Sequence, residues 1–433
     1  MRFHVPVLRP VLAGLTLLST VGASAATLCV NHTAKTGCYS TIGAAVSAAH
    51  AGDVIQVAHG TYKEDVVITK SLSLVAAPGM QPVIDATGLS NAIFVNGMSA
   101  APGVGVGNVL ISGFAIRNAN FEGLLIANAN DVTVVGNHVS DNNQALEVGT
   151  GNCPGIAAFE TNEGDDCGEG IHLMGVRHST IIHNEVDHNS GGILISDETG
   201  PTRNNLINGN FVHDNPWDCG ITIASHGPAT SVIPTATISY GITHTTISHN
   251  LSQHNGADLP GAGAGVGIFA PFPGTTAADN VVIENKLIDN GLPGVTMHNH
   301  ASAPSPAPPI NLNNNVIVGN YISGNAADTE DAATSGPTGI NLYSTAPVYG
   351  TLVSQNIFDD ESIDVAFKAP GGQVSAHFNN FSTGMGVDNL GTGAVDATDN
   401  WWHCSAGPVG GRCSSVSSGV WFTPWLTFPF DPE

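Results

Sequence analysis

Six pairs of asparagines, the two members of each five residues apart, punctuate the middle of this chain: Asn137/Asn142, Asn184/Asn189, Asn210/Asn215, Asn250/Asn255, Asn285/Asn290 and Asn320/Asn325. An apolar strand-like stretch precedes each pair, and a Gly-apolar-x-apolar run follows: Gly170-Ile-His-Leu, Gly192-Ile-Leu-Ile, Gly220-Ile-Thr-Ile, Gly267-Ile-Phe-Ala, Gly294-Val-Thr-Met and Gly339-Ile-Asn-Leu. An earlier copy reads Gly113/Asn118, and the shortest full copy, Asn184 to Asn210, spans 26 residues. Self-similarity with a period of about 20–50 residues marks a stacked-repeat fold, in which each unit buries its apolar face only against its neighbours.

The phrase suits a coil of short strands that pair in parallel with the coils above and below, about 4.8 Å away. Alternation sends one set of side chains inward and the other outward. Asparagine is expected to take the left-handed backbone of a tight corner and to bond through its amide to the asparagine of the next coil. Glycine permits close backbone approach at the bend that follows. Regularly spaced leucines, the mark of leucine-rich repeats, are missing, and the variable copy length fits coils that accept insertions at their corners.

On these residues the chain resembles the right-handed parallel β-helix superfamily of pectate lyases, polygalacturonases and mannuronan C5-epimerases, over residues 40–433. The resemblance implies an all-β, right-handed parallel β-helix solenoid with an N-terminal capping helix and an aromatic-rich C-terminal cap. Such caps cover strand edges that would otherwise recruit other chains. The expected divisions are a signal at 1–25, a cap and first strand at 26–60, the β-helix at 61–395 and a C-terminal cap at 396–433.

Residues 1–25 have the form of a secretory signal: Arg2 and Arg9, the apolar run Val11 to Leu18, then Ala23-Ser24-Ala25 as a small-residue cleavage site. The apolar run is too short to span a bilayer. The chain is therefore expected to be secreted or periplasmic after cleavage near Ala25, without membrane insertion. Residues 40–51 read as an amphipathic helix, capped by Ser40 or Thr41 and stopped by Gly52, with the first strand at Val54–Ala58. Four of the five tryptophans (Trp401, Trp402, Trp421 and Trp425) sit in the last segment, where they are expected to plug the final coil.

A formal charge of −24 excludes nucleic acid and anionic membranes as natural partners. Export would remove two arginines and no acids, making the chain more acidic still. The expected partner is a polysaccharide or cell-surface glycan; the sequence leaves the oligomeric state open. Three close cysteine pairs, Cys29/Cys38, Cys153/Cys167 and Cys404/Cys413, suggest local disulfides, with Cys219 left as a packed thiol.

Long insertions fall before the Gly-strand at 143–169, 256–266 and 326–338, and after it at 225–245 and 298–313. They bracket a single strand column, as loops would wall a groove along a solenoid. On that column His172 is expected to face out, sharing a row with Thr222, Phe269, Thr296 and Asn341. Ser196, His298 and Tyr343 form a second row, with Asp197, Glu198, His226 and His300 just beyond. The insertion upstream supplies Glu160, Glu163, Asp165, Asp166 and Glu169; Arg177 and Arg203 stand nearby.

Gly164-Asp165-Asp166-Cys167 is similar to the Asp-Asp-Cys stretch of polygalacturonases, where the acids serve hydrolysis. Neither the Gly-His-Gly and Arg-Ile-Lys of that family nor the Asp-Pro-His of mannuronan epimerases accompanies it. Three readings therefore stay open. Hydrolysis would pair Asp166 or Glu169 with Asp197 or Glu198. Lyase or epimerase chemistry would use His172, His298 or Tyr343 as base or acid. A non-catalytic module would use the same face only to bind. Arg177, Arg203, His226, Phe269 and Tyr343 are candidate substrate contacts. The sequence settles no cofactor, with calcium the candidate, for which Asp165, Asp166 and Glu169 are the candidate ligands. His183, His188, His213, His249 and His254, beside the asparagines, are expected to decorate an exposed corner, with a copper- or zinc-binding ladder as the alternative.

Overall fold

In the computed structural model the described residues are 25–33, 35–148, 150, 152–159, 168–226, 239–259, 261–299, 308–329 and 334–431. Residues 1–24 of the signal segment, and Glu160, Glu163, Asp165, Asp166, Cys167 and His300, lie outside them. The strands form sheets of 14, 12, 10 and 3 members, and every strand pair is parallel. One coil shows the path. Thr180–Ile182 joins the 14-stranded sheet, Glu185–Asp187 the 10-stranded sheet and Ile193–Ser196 the 12-stranded sheet; Thr202–Arg203 then leads back to Leu206–Asn208, beside the starting strand. The architecture is an all-β, right-handed parallel β-helix.

Inward side chains stack in register along the axis. Ile181, Ile207, Ile247, Val282, Ile317 and Val353 occupy successive coils of one sheet, all fully buried. Burying such a side chain contributes about 1.5–3 kcal/mol. The repeat therefore accumulates its stability coil by coil.

The asparagines form two buried ladders. In the first, Nδ2 of each donates to Oδ1 of the next through Asn137, Asn184, Asn210, Asn250, Asn285 and Asn320, at 2.9–3.0 Å. That ladder continues through Asn356 and Asn379 to Asn400. The second runs Asn142, Asn189, Asn215, Asn255, Asn290, Asn325 and ends on Glu361. The amide-to-amide bonding expected from the sequence is present, but the corner conformation is displaced by one residue. The left-handed residues are those just before the ladder: His183, His188, Asp214, His249, His254, Glu284 and Asp289, with φ of 51–55°. Each ladder asparagine is instead oriented so that its oxygen also accepts a backbone N–H from the adjacent coil.

The N-terminal helix, Ile42–Ala48, is capped by Thr41, whose hydroxyl accepts from Ala44 N. The Glu64 carboxylate adds bonds to the N–H groups of Ile42 and Gly43 at 2.8 and 2.7 Å, where the helix dipole favours negative charge. The helix ends before Gly52, and a strand not expected from the sequence, Thr27–Val30, precedes it and edges the 14-stranded sheet. At the other end Trp402 is fully buried against Phe381, with Phe422 edge-on to it, so it closes the last coil; Trp421 stays 63% exposed. Cys29–Cys38 and Cys404–Cys413 are disulfides, and Cys153 is disulfide-bonded. Cys219 is a buried thiol that accepts a hydrogen bond from Ala264 N.

Candidate active site

The 12-stranded sheet carries the column singled out by the insertions. Its strands Leu124–Ala127, Ile171–Met174, Ile193–Ser196, Ile221–Ala224, Val266–Phe269 and Val295–His298 stack in that order. Register makes Leu125, His172, Leu194, Thr222, Gly267 and Thr296 one outward row, and Met174, Ser196, Ala224, Phe269 and His298 the next. Phe269 thus belongs to the second row, not to that of His172. The strand glycine of that coil is Gly265, two residues before Gly267, because Val266 pairs with Ile221 and Val295. A slip of two residues preserves which side chains face outward, so alternation alone could not reveal it.

The outward side chains here are themselves covered. His172, Ser196, Asp197, Glu198, His226, Glu122 and Glu169 are all buried. Glu122 and Glu169 occupy the same place on adjacent coils, just before the strand glycine, where Gly123 N donates to Glu169 O. Glu122 was not among the residues expected from the sequence. Its Oε1 lies 3.5 Å from His172 Nδ1, and among the described residues neither of its oxygens has a hydrogen-bond partner. His172 Nε2 reaches Ser196 Oγ at 2.8 Å, one coil on.

Beyond Ser196, Glu198 Oε1 meets His226 Nδ1 at 2.9 Å. Burial alone would raise the Glu198 carboxyl. The hydrogen bond and charge of His226, the charge of His172 and a hydrogen bond from Ser196 outweigh it and hold the group at about 2. The neighbouring Asp197 is pushed the other way, to about 7, by burial and by the Glu198 charge. Its oxygens accept the backbone N–H groups of His226 (2.7 Å) and Gly241 and the Ser225 hydroxyl (3.3 Å), so it fixes the loop that carries His226. One connected set therefore runs Glu122, His172, Ser196, Glu198, His226.

The remaining expected residues lie farther along or to the side. Phe269 and His298 pack edge to face, with centroids 4.4 Å apart. Lys368 Nζ sits 5.4 Å above the Tyr343 ring. Asn341 donates to Asp328. Arg177 and Arg203 are bridged in register beyond the Gly175 bend, where Arg177 Nε donates to Asn130 at 2.9 Å. Among the described residues neither arginine pairs with an acid. Of the three candidate calcium ligands only Glu169 is among the described residues.

Residues 86–255 match the family model described as the right-handed beta helix region. No curated protein shows a significant sequence match. Among solved structures, an alginate lyase from Paenibacillus sp. is 14% identical, covering 84% of this chain and 99% of that one, with a TM-score of 0.49. A surface adhesin of Streptococcus pneumoniae is 14% identical over 83% of this chain and 82% of that one, with a TM-score of 0.48. The catalytic unit of a GH87 alpha-1,3-glucanase from Streptomyces thermodiastaticus is 14% identical over 90% and 66%, with a TM-score of 0.42. No activity is carried from these proteins to this chain. Its own sheets and ladders build the parallel β-helix that the family model describes over residues 86–255.

Proposed function

We propose that this chain is an exported enzyme that cleaves a polysaccharide or cell-surface glycan by hydrolysis, at the cluster of Glu122, Glu169, His172, Ser196, Glu198 and His226. Glu122 is the observation that carries the reading. A fully buried carboxyl without a hydrogen bond among the described residues, 3.5 Å from an imidazole, costs folding free energy. Buried carboxyls set against a specific imidazole are concentrated at functional sites. Glycoside hydrolysis requires one ionised and one protonated carboxyl. In this reading Glu198 is the ionised base or nucleophile, and Glu169 or Glu122, across His172, supplies the proton to the leaving oxygen. Asp197 is a positioning residue.

Lyase and epimerase chemistry at a uronate develops charge that an arginine or a cation must stabilise. The connected set is built of carboxyls, imidazoles and a hydroxyl, the groups that hydrolysis uses. Phe269, His298 and Tyr343 would offer rings to the sugar, with Arg177 and Arg203 at its flank. Export accords with the two disulfides, which belong to an oxidising compartment. No helix among the described residues is long and apolar enough to cross a membrane.

The burial of the whole cluster supports a second reading, a non-catalytic module whose polar network only rigidifies a glycan-binding face. Glu198→Gln and Glu122→Gln separate the two. The enzyme reading predicts a loss of turnover of about 100-fold or more in each, with an unchanged far-UV spectrum. Wild-type turnover in both variants would overturn the site. Saturable binding without any product in the parent chain would establish the module.

A further inference from the structure

We infer that the outward face of the 10-stranded sheet, remote from the acid–imidazole column, holds a site for a divalent transition-metal ion of the zinc and copper class. Its ligands are His138, Glu185 and Asp187, with His213 as the fourth. Three coils deliver them. His138 pairs in register with Glu185, and Asp187, two residues on and on the same face, pairs with His213. The four trace a zigzag across coils about 4.8 Å apart, and each imidazole leans diagonally over the middle strand, His138 to Asp187 and His213 to Glu185.

The candidate ligand atoms of His138, Glu185 and Asp187 all lie within 4.8 Å of one another. His138 Nε2 and Asp187 Oδ1 are 2.6 Å apart, sharing a proton that a metal ion would replace. His213 Nε2 stands 3.5 Å from Glu185 Oε1. Bonds of about 2.0–2.1 Å in tetrahedral array place ligand atoms about 3.3 Å apart, so small side-chain rotations, chiefly of half-exposed Glu185, close the set of three, and His213 completes it by a swing of its own ring from beside Glu185.

The supporting shell is already in place. Asp214 Oδ2 bonds His213 Nδ1 at 2.7 Å, and the imidazole lies stacked on Phe211 with centroids 3.8 Å apart. Both contacts aim Nε2 at Glu185, yet that nitrogen is buried and has no hydrogen-bond partner among the described residues. His188 Nδ1 similarly holds the second oxygen of Asp187 at 2.6 Å. Carboxylates that fix a ligand histidine through its other nitrogen are a regular feature of metal sites. Two imidazoles in the set disfavour calcium and magnesium, which take oxygen ligands, and favour zinc or copper.

Isothermal titration of the whole mature chain with zinc chloride tests the inference, with His138→Ala, His213→Ala and His249→Ala in parallel. His249 pairs with Glu284 at 2.6 Å elsewhere on the surface and serves as the control. The expected result is one zinc ion per chain, bound at least tenfold more weakly by the His138 and His213 variants and equally well by the His249 variant. Excess magnesium should not compete. Absence of saturable one-to-one uptake, or equal weakening in the His249 variant, would overturn the site.

Discussion

Asn325 donates both its backbone N–H and its side-chain amide to one oxygen of Glu361, at 3.1 and 3.0 Å. A glutamate thus ends the second asparagine ladder where a further asparagine would repeat it. Burial pushes the Glu361 carboxyl up to about 8, against the pull of the two Asn325 bonds. A carboxyl whose folded pKa is raised binds its proton more tightly in the folded chain. Its contribution is fully present below the unfolded value of about 4.5 and is lost as pH rises toward 8.

The pH dependence of stability should show that sign. Thermal or denaturant unfolding followed from pH 5 to pH 8 should show a fall in stability with rising pH, each tenfold change in proton affinity being worth about 1.4 kcal/mol. Glu361→Gln keeps an oxygen acceptor for Asn325 and removes the titration. It should flatten the slope and stabilise the chain at pH 8.

The first ladder predicts a local penalty. Asn250 Oδ1 accepts both the N–H and the side-chain amide of Asn210, at 2.9 and 3.0 Å. Asn250→Ala takes the acceptor from the Asn210 N–H and from one of the two Nδ2 hydrogens, the other staying on Ile181 O, at a cost of about 2–4 kcal/mol. Denaturant unfolding measures it. A substitution on the solvent face of the same coil, such as Gln253→Ala, should stay within about 0.5 kcal/mol.

Gly192 opens the strand that carries Ser196, and a Cβ there would run into Gly220 O and the Val212 side chain. Backbone oxygen cannot move aside as a flexible side chain does. Gly192→Ala should therefore cost at least about 1–3 kcal/mol and displace the Ser196 hydroxyl from His172. Stability and activity should fall together.

Ser196→Ala cuts the link between the two halves of the site, its bonds to His172 and to Glu198, while every carboxyl stays in place. Removing the 2.8 Å bond to His172 Nε2 is expected to lower kcat about tenfold, the worth of one well-made hydrogen bond. The unfolding midpoint should move little. An unchanged kcat would place Ser196 outside the reaction.

The fold was legible because repetition multiplies a weak signal. One Asn-x4-Asn pair says little, whereas six in the same relation to apolar strands leave few alternatives. The displaced left-handed residue was not legible: asparagine and its polar predecessor both tolerate that backbone, and only the inter-coil hydrogen bonds decide between them. His172, Glu198 and His226 were named from the sequence, and the structure brings them together through Ser196. Glu122 was missed because the copy around Asn118 lacks a second asparagine. The signal was nonetheless present in Glu122-Gly123, which repeats Glu169-Gly170 one coil earlier. Phe269 was misplaced because Gly265 and Gly267 both satisfy the phrase. Which arginine meets which acid depends on where each corner ends, and local sequence does not encode that.

The central claim, hydrolysis at the Glu122–Glu198 column, is tested most directly by incubating the mature chain with neutral and uronate polysaccharides in heavy-oxygen water and weighing the products. The account predicts fragments that carry one heavy oxygen at the new reducing end and disappear with Glu198→Gln. Unsaturated uronate fragments without added oxygen, or label that persists in the Glu198 variant, would contradict it.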